Sequence, residues 1–241
     1  MDKEPLIDLR DVRKVYYKNK FEVPVLDGLN LSIPQGRFAA LMGPSGSGKS
    51  TLLNLIGGLD TATSGHVVVA GQDLTGLSES QLTSWRSRHV GFIFQQYHLV
   101  PVLTAKQNVE LPLLLFSMSG RERSERAEVA LEVVGLKERM DHRPNQLSGG
   151  QEQRVAIARA IVTDPMLLLA DEPTGDLDAK SAEEIMALLD FLNREMGKTI
   201  VMVTHDPKAA KHAQLEFHLE KGVLIGTNAG KAAAMDVVPM Q

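Results

Sequence analysis

No cysteine occurs anywhere in the 241 residues. That excludes disulfides, thiolate zinc sites and a cysteine nucleophile, and it fits a reducing compartment. Long apolar runs are missing as well. The longest, around 111–116 and 166–170, fall far short of the roughly 20 residues that cross a bilayer. The start, Met1-Asp2-Lys3-Glu4-Pro5, is too charged for a signal peptide. The chain is therefore expected to be soluble by itself and to reach a membrane only through a partner. Basic charge is not in excess either: 26 Lys and Arg against 30 Asp and Glu leave a net charge of −4. Nothing here makes an electrostatic footprint for nucleic acid, and none is expected as a partner. The modest basic cluster at 121–126 is interleaved with acids and reads as a solvated helix face. Internal repeats and heptad runs are absent. What remains is an ordinary globular composition, 43% hydrophobic and 23% charged, long enough for one core or one core with an inserted lobe.

The order of local signals suggests how that core is built. Strand-like segments at 6–10, 29–33, 37–42 and 67–70 surround a glycine-rich break and a helix at 49–56, ended by Gly57 and Gly58. Another apolar run spans 90–94. Helical signals follow. Thr104 and Gln107 form a capping box before an apolar series reaching Phe116, in which Pro112 predicts a kink or break. Ser119 and Glu122 open a helix stopped by Gly135, and Ser148 caps one running to about Val162. Strands return at 166–170 and 199–203, separated by a helix at 182–196. A closing hairpin is read at 215–219 and 223–225, and beyond Gly226 the segment is patternless. This order predicts an α/β fold with an inserted helical lobe: a core with a β subdomain from 1–95 and 161–226, a helical subdomain from 96–160, and a mobile tail from 227–241.

Three motifs carry chemistry. Gly43-Pro44-Ser45-Gly46-Ser47-Gly48-Lys49-Ser50-Thr51 fits the phosphate loop, and it sits between a predicted strand and a predicted helix as that loop requires. Its glycines at 43, 46 and 48 let backbone N–H groups turn inward, the helix start adds positive potential, Lys49 neutralises outer phosphates and Ser50 offers a hydroxyl to Mg²⁺. Second, the apolar strand before Asp171-Glu172 ends in two acids at a carboxyl end, where α/β sheets bind ligands. Asp171 suits Mg²⁺ and Glu172 suits a base that polarises attacking water. By itself such a pair is more often a turn or helix start. Third, Leu147-Ser148-Gly149-Gly150-Gln151 places two glycines behind a serine cap, a second nest of amides suited to an anion.

The set formed by residues 43–51, Gln95, residues 147–151, Asp171-Glu172, Gly175-Asp176-Leu177-Asp178 and His205 resembles the ATP-binding cassette (ABC) ATPases over residues 5–226. The resemblance implies a P-loop NTPase (RecA-like) core with an antiparallel β subdomain. It implies a homodimer that sandwiches two ATP head to tail, Ser148 to Gly150 of one protomer capping the phosphate held by Lys49 of the other. It implies further that Gln95 touches Mg²⁺ and links core to lobe, that Asp178 crosses the dimer interface, that His205 contacts the γ-phosphate, and that Tyr16 stacks on adenine, with Tyr17 as the rival. A nearer resemblance is to the lipoprotein-release and macrolide-exporter (LolD- and MacB-like) ATPases. It is carried by residues 57–60, 90–101, 103–105, 108–109 and 171–178. This implies an integral membrane permease partner with few membrane helices and a large extracytoplasmic domain, with this chain peripheral on the cytoplasmic face of the inner membrane. A small-molecule importer ATPase is the alternative. A chromosome or repair ATPase would carry a long coiled coil, a ribosome-associated protein two such cores, and a regulatory cassette would lack Glu172 or His205.

Overall fold

The computed structural model describes residues 5–18 and 21–229. Its elements, in chain order, begin with β1 (Pro5–Lys18), β2 (Phe21–Pro34), β3 (Phe38–Met42), α1 (Lys49–Ile56), β4 (Ser64–Val69), β5 (Gln72–Asp73), α2 (Glu79–His89) and β6 (Val90–Phe94). There follow α3 (Ala105–Glu110), α4 (Gly120–Val133), α5 (Gly149–Ile161), β7 (Leu167–Asp171), α6 (Ala179–Arg194), β8 (Thr199–Val203), α7 (Pro207–Ala210), β9 (Leu215–Glu220) and β10 (Val223–Ala229).

A six-stranded sheet in the order β10-β9-β3-β8-β7-β6 forms the centre, and only β10 runs antiparallel to its neighbour. Both faces of this sheet are covered at its centre, so β3 and β8 are buried at every position rather than at alternate ones. Alternation survives in the destination of each side chain. Phe38, Ala40, Ile200, Met202, Leu168 and Ala170 enter one buried cluster with the helices α3 to α6. Ala39, Leu41, Val201, Val203, Leu167 and Leu169 enter the other, with α1, α2 and the small antiparallel sheet β2-β1-β4-β5. Each fully buried Leu, Ile or Phe contributes about 1.5–3 kcal/mol relative to exposure, so the two clusters are what hold the layers in place.

Several local predictions differ from the structure in informative ways. The β1–β2 pair extends well past the predicted strands at 6–10 and 29–33, through polar residues. Register shifts between Leu9 and Val12, and again on to Val15, break the two-residue period that marks a strand, and Asp11 takes φ 50° at the bulge. Helix α2 is unheralded by periodicity because only Leu82 and Trp85 are buried, yet Ser78 and Gln81 close a capping box at its start. Pro112 does break its helix: α3 stops at Glu110 and a 3₁₀ turn, Leu111–Leu115, follows. Helix α6 begins at Ala179, three residues before the predicted start, because Asp178 caps it. Strand β10 runs through Gly226 to Ala229, pairing Thr227 with Phe217, so the patternless tail does not begin at 227. The rest of that segment lies outside the described residues.

Candidate functional site

Register places the site. Phe94 stands opposite Asp171, Asp171 opposite Val203, and Val203 opposite Leu41. Four parallel strands therefore end along one line, and the residues just beyond them, Gln95, Glu172, His205 and the loop after Met42, gather at that edge. The loop at 43–51 encloses a cavity of about 640 Å³, shared with Glu172, Val203 and His205. Its glycines 43, 46 and 48 all take positive φ, at 147°, 76° and 103°. Two of these are the most constrained. A Cβ on Gly43 would lie 2.1 Å from the Leu219 carbonyl oxygen, and one on Gly48, already at φ 103°, would lie 3.0 Å from the Val25 carbonyl oxygen. Gly48 is also the residue from which α1 starts, with no side-chain cap, so the first N–H groups of the helix are left facing the loop.

Lys49 is 8% exposed, and its Nζ donates to the carbonyls of Gly43 and Pro44, each at 2.8 Å. Ser50 donates to Asp171 Oδ1 at 3.3 Å. Burial raises the Asp171 carboxyl above its usual range; the charge of Glu172 adds to this, while Ser50 and Lys49 oppose it. A hydroxyl and a carboxylate converging here are hard oxygen donors. No group of three or more His, Cys, Asp or Glu among the described residues makes a metal cage alone. The pair fits a hard divalent cation that draws its other ligands from phosphate and water. Ser45 and Thr51 line the same cavity. Val25 of β2 lines it too, and nothing in the sequence pattern singles that residue out.

Glu172 sits at φ 48°, an uncommon conformation for a residue with a side chain, and its N–H bonds to the Val203 carbonyl. This aims its carboxylate at His205, with Oε2 lying 2.8 Å from Nδ1. Glu172 is the more enclosed of the two. His205 thus meets Glu172 within the protomer, 33 positions away in sequence, a contact that spacing does not reveal.

Gln95 is not among the residues lining the loop cavity; its Nε2 donates to Asp176 Oδ1 at 2.8 Å. Gly175 lets it approach, since a Cβ there would lie 2.9 Å from that nitrogen. Tyr16 is 39% exposed and gives its hydroxyl to Asp60 at 2.6 Å, within reach of Thr51. Lys14 Nζ stands 4.6 Å from the Tyr16 ring centroid and also binds Asp60, at 2.6 Å. Burial and the Asp60 contact raise the tyrosine's pKa. Asp60 itself is pushed up by burial, but bonds from Lys14, Tyr16 and the Thr61 N–H outweigh this and hold it low. Tyr17, on the other strand face, is 67% exposed. Lys14 and Asp60 were missed in the sequence because they are far apart along it.

Ser148, Gly149, Gly150 and Gln151 do not line the loop cavity. They open α5: Ser148 Oγ accepts from the Gln151 N–H at 3.3 Å, and Gln151 Oε1 accepts from the Ser148 N–H at 3.0 Å. A Cβ on Gly150 would lie 3.1 Å from Ser181 Oγ, so this helix start packs on the first turn of α6. There Asp178 accepts from the Ser181 hydroxyl at 2.7 Å and from the N–H groups of Ser181 and Lys180, both at 3.0 Å, bonds that keep its carboxyl below the usual range, the hydroxyl contributing most. One protomer therefore presents a phosphate cradle and, apart from it, a second amide nest.

Comparisons with known proteins agree with this arrangement. Residues 26–175 match the ABC transporter family. The ABC transporter ATP-binding protein YvrO of Bacillus subtilis is 50% identical over 220 residues, covering 91% of this chain and 96% of that protein. The macrolide export ATP-binding/permease protein MacB of Marinobacter nauticus is 47% identical over 93% of this chain, which spans 35% of that longer protein. Among solved structures, a dimer of the ATP-binding cassette MJ0796 of Methanocaldococcus jannaschii, in a post-hydrolysis state with ADP and Pi, superposes with a TM-score of 0.86. It is 44% identical, with 94% of this chain and 100% of that one covered. The chain belongs to the ABC transporter family: it is an ATP-hydrolysing, ATP-binding cassette, LolD/MacB-like in sequence.

Proposed function

We propose that two copies of the chain close head to tail around two ATP and drive a separate permease of the lipoprotein-release or macrolide-export type. The observation that carries this is the separation of the two anion sites. The loop cavity contains Lys49, Ser50, Glu172 and His205 but no residue of the Ser148–Gln151 nest, and Ser148 is exposed with Gly149 to Gln151 half-buried, so a second protomer's phosphate can reach the nest. The MJ0796 cassette, a dimer holding ADP and Pi, supports the same assembly.

In this reading Lys49 and the loop amides hold the β- and γ-phosphates, and Tyr16 receives adenine against the face opposite Lys14. Ser50 and Asp171 would hold Mg²⁺, which would supply charge neutralisation at the phosphates, and Gln95 could add to that set only by giving up its bond to Asp176. Glu172 takes a proton from the attacking water as the water oxygen bonds to the γ-phosphorus and the bond to ADP breaks. His205 holds the Glu172 carboxylate in place and reaches the γ-phosphate on closure. The chemistry is positioning and charge neutralisation more than covalent catalysis. Each site is completed by the facing nest, with Asp178 at the junction, so ATP favours the closed pair and loss of phosphate releases it.

Residues 96–160 act as the lobe that turns against the core. Beside it lies a cavity of about 470 Å³ lined by Leu59, Phe92, Phe94, Leu115 and Arg159, with Leu114 exposed nearby. This surface suits a permease segment. Among the described residues no helix is long and apolar enough to cross a membrane; in this reading the permease holds the chain at the cytoplasmic face. Purifying the chain from its native membranes with what stays bound tests the proposal. The expected partner has few membrane helices and a large extracytoplasmic domain. A many-helix permease accompanied by a solute-binding protein would replace this reading with the importer one.

A further inference from the structure

Helix α5 carries a residue that its packing does not explain. Gln153 lies on the buried face, one turn beyond the Ser148–Gln151 nest (the signature nest), in line with Ile157 and Ile161, and it is 0% exposed. Its Nε2 donates to the Pro173 carbonyl at 2.5 Å and to the Phe94 carbonyl at 3.3 Å. Its Oε1 is buried with no hydrogen-bond partner among the described residues. An apolar side chain of the same size would fill the space and leave no amide oxygen unmet, but it would also take the donor away from the Pro173 and Phe94 carbonyls. The sequence keeps the amide despite the penalty of an unmet buried oxygen.

The two carbonyls explain the retention. Phe94 immediately precedes Gln95, and Pro173 immediately follows Glu172. Their strands are neighbours, Phe94 pairing with Asp171. One amide thus ties the exits of two strands to the helix whose start is the signature nest. Further along the same helix, Arg159 donates to the carbonyls of Tyr97 and His98, both at 2.7 Å. The segment carrying Gln95 is therefore gripped on both sides by α5.

We infer that Gln153 is a positioning residue for hydrolysis: it converts engagement of the signature nest by the facing protomer's nucleotide into the placement of Glu172 and Gln95 in its own protomer. This rests on the roles given to those two residues above. A lobe that turns on ATP closure rotates α5, and the shared amide obliges both strand exits to follow. Removing the donor leaves the cradle intact but lets Glu172 and Gln95 settle independently of the nest.

The test uses the full chain, assayed well below each variant's melting temperature. Q153M matches the shape and donates nothing; Q153N keeps the amide but withdraws it by one methylene. For both, kcat is expected to fall about tenfold, equivalent to about 1.4 kcal/mol. KM and calorimetric nucleotide affinity are expected to stay within about twofold, because the phosphate loop is untouched. A purely structural role would lower the melting temperature and leave that kinetic split absent. A folded variant with kcat within about twofold of the parent overturns the inference, as does a loss that merely follows nucleotide affinity. Should Q153M fail to fold, Q153N decides alone. E172Q measured alongside separates the two readings. If it still turns over, the role of Glu172 is wrong; if it is inactive while Q153M and Q153N are active, only the role of Gln153 is wrong.

Discussion

Replacing Glu172 with Gln removes one function and little else. The amide has the carboxylate's shape, and either residue type carries a similar penalty at φ 48°. It still offers an oxygen to His205, which lies 2.8 Å from the present carboxylate. What it cannot do is accept a proton from water. General-base assistance is worth about 10²–10⁴ in rate, so kcat should fall by about 10³, close to 4 kcal/mol. ATP affinity should hold, because Lys49, Ser50 and the loop amides are unchanged. With binding intact and turnover blocked, the closed state accumulates. Phosphate-release kinetics measure the first effect, and size-exclusion chromatography with and without ATP measures the second. A variant that hydrolyses within about threefold of the parent, or stays monomeric at saturating ATP, would refute the reasoning.

Lys49→Ala loses the charge on the outer phosphates, a charge-assisted contact worth about 1.5–3 kcal/mol, so calorimetry should read nucleotide binding weaker by about tenfold or more; unchanged affinity contradicts the cradle. Asp171→Asn should abolish hydrolysis yet raise the melting temperature at pH 7 in metal-free, nucleotide-free buffer. Burial raises this carboxyl above its ordinary value, so between that value and its folded pKa the folded chain binds more protons than the unfolded one. Stability contributed by Asp171 therefore falls as pH rises through that window, and the gain from Asn should shrink as pH is lowered through it; a gain independent of pH argues against the assignment. Gly91→Ala puts a Cβ 2.2 Å from the Ala160 carbonyl oxygen, so β6 and α5 must separate. Such overpacking costs about 1–3 kcal/mol, and a urea midpoint equal to the parent's would contradict the close approach.

The motifs were legible because their chemistry is local. A strand, a glycine loop and a helix start within fourteen residues, 38–51, are enough to form the phosphate cradle, and the Ser148–Gln151 capping box is written in adjacent positions. Helix α2 and the long arms of β1 and β2 were not legible, since bulges and a mostly polar surface erase the periods by which such elements are read. The Lys14, Tyr16 and Asp60 cluster spans more than forty positions, and no spacing rule joins them. The same holds for the amide of Gln153 between two carbonyls on different strands.

Residue identity alone therefore determined that this protein carries a phosphate-loop pattern, an acidic pair after an apolar strand, and a second, serine-capped amide nest; each follows from backbone conformation and hydrogen bonding within a few residues. Which of these groups meet was left to the fold. Parallel register brings Phe94, Asp171 and Val203 level, and only that alignment sets Glu172 against His205 and turns Gln95 to Asp176. Register is a property of the buried sheet, decided when both faces pack at once, and no single stretch of the chain contains it.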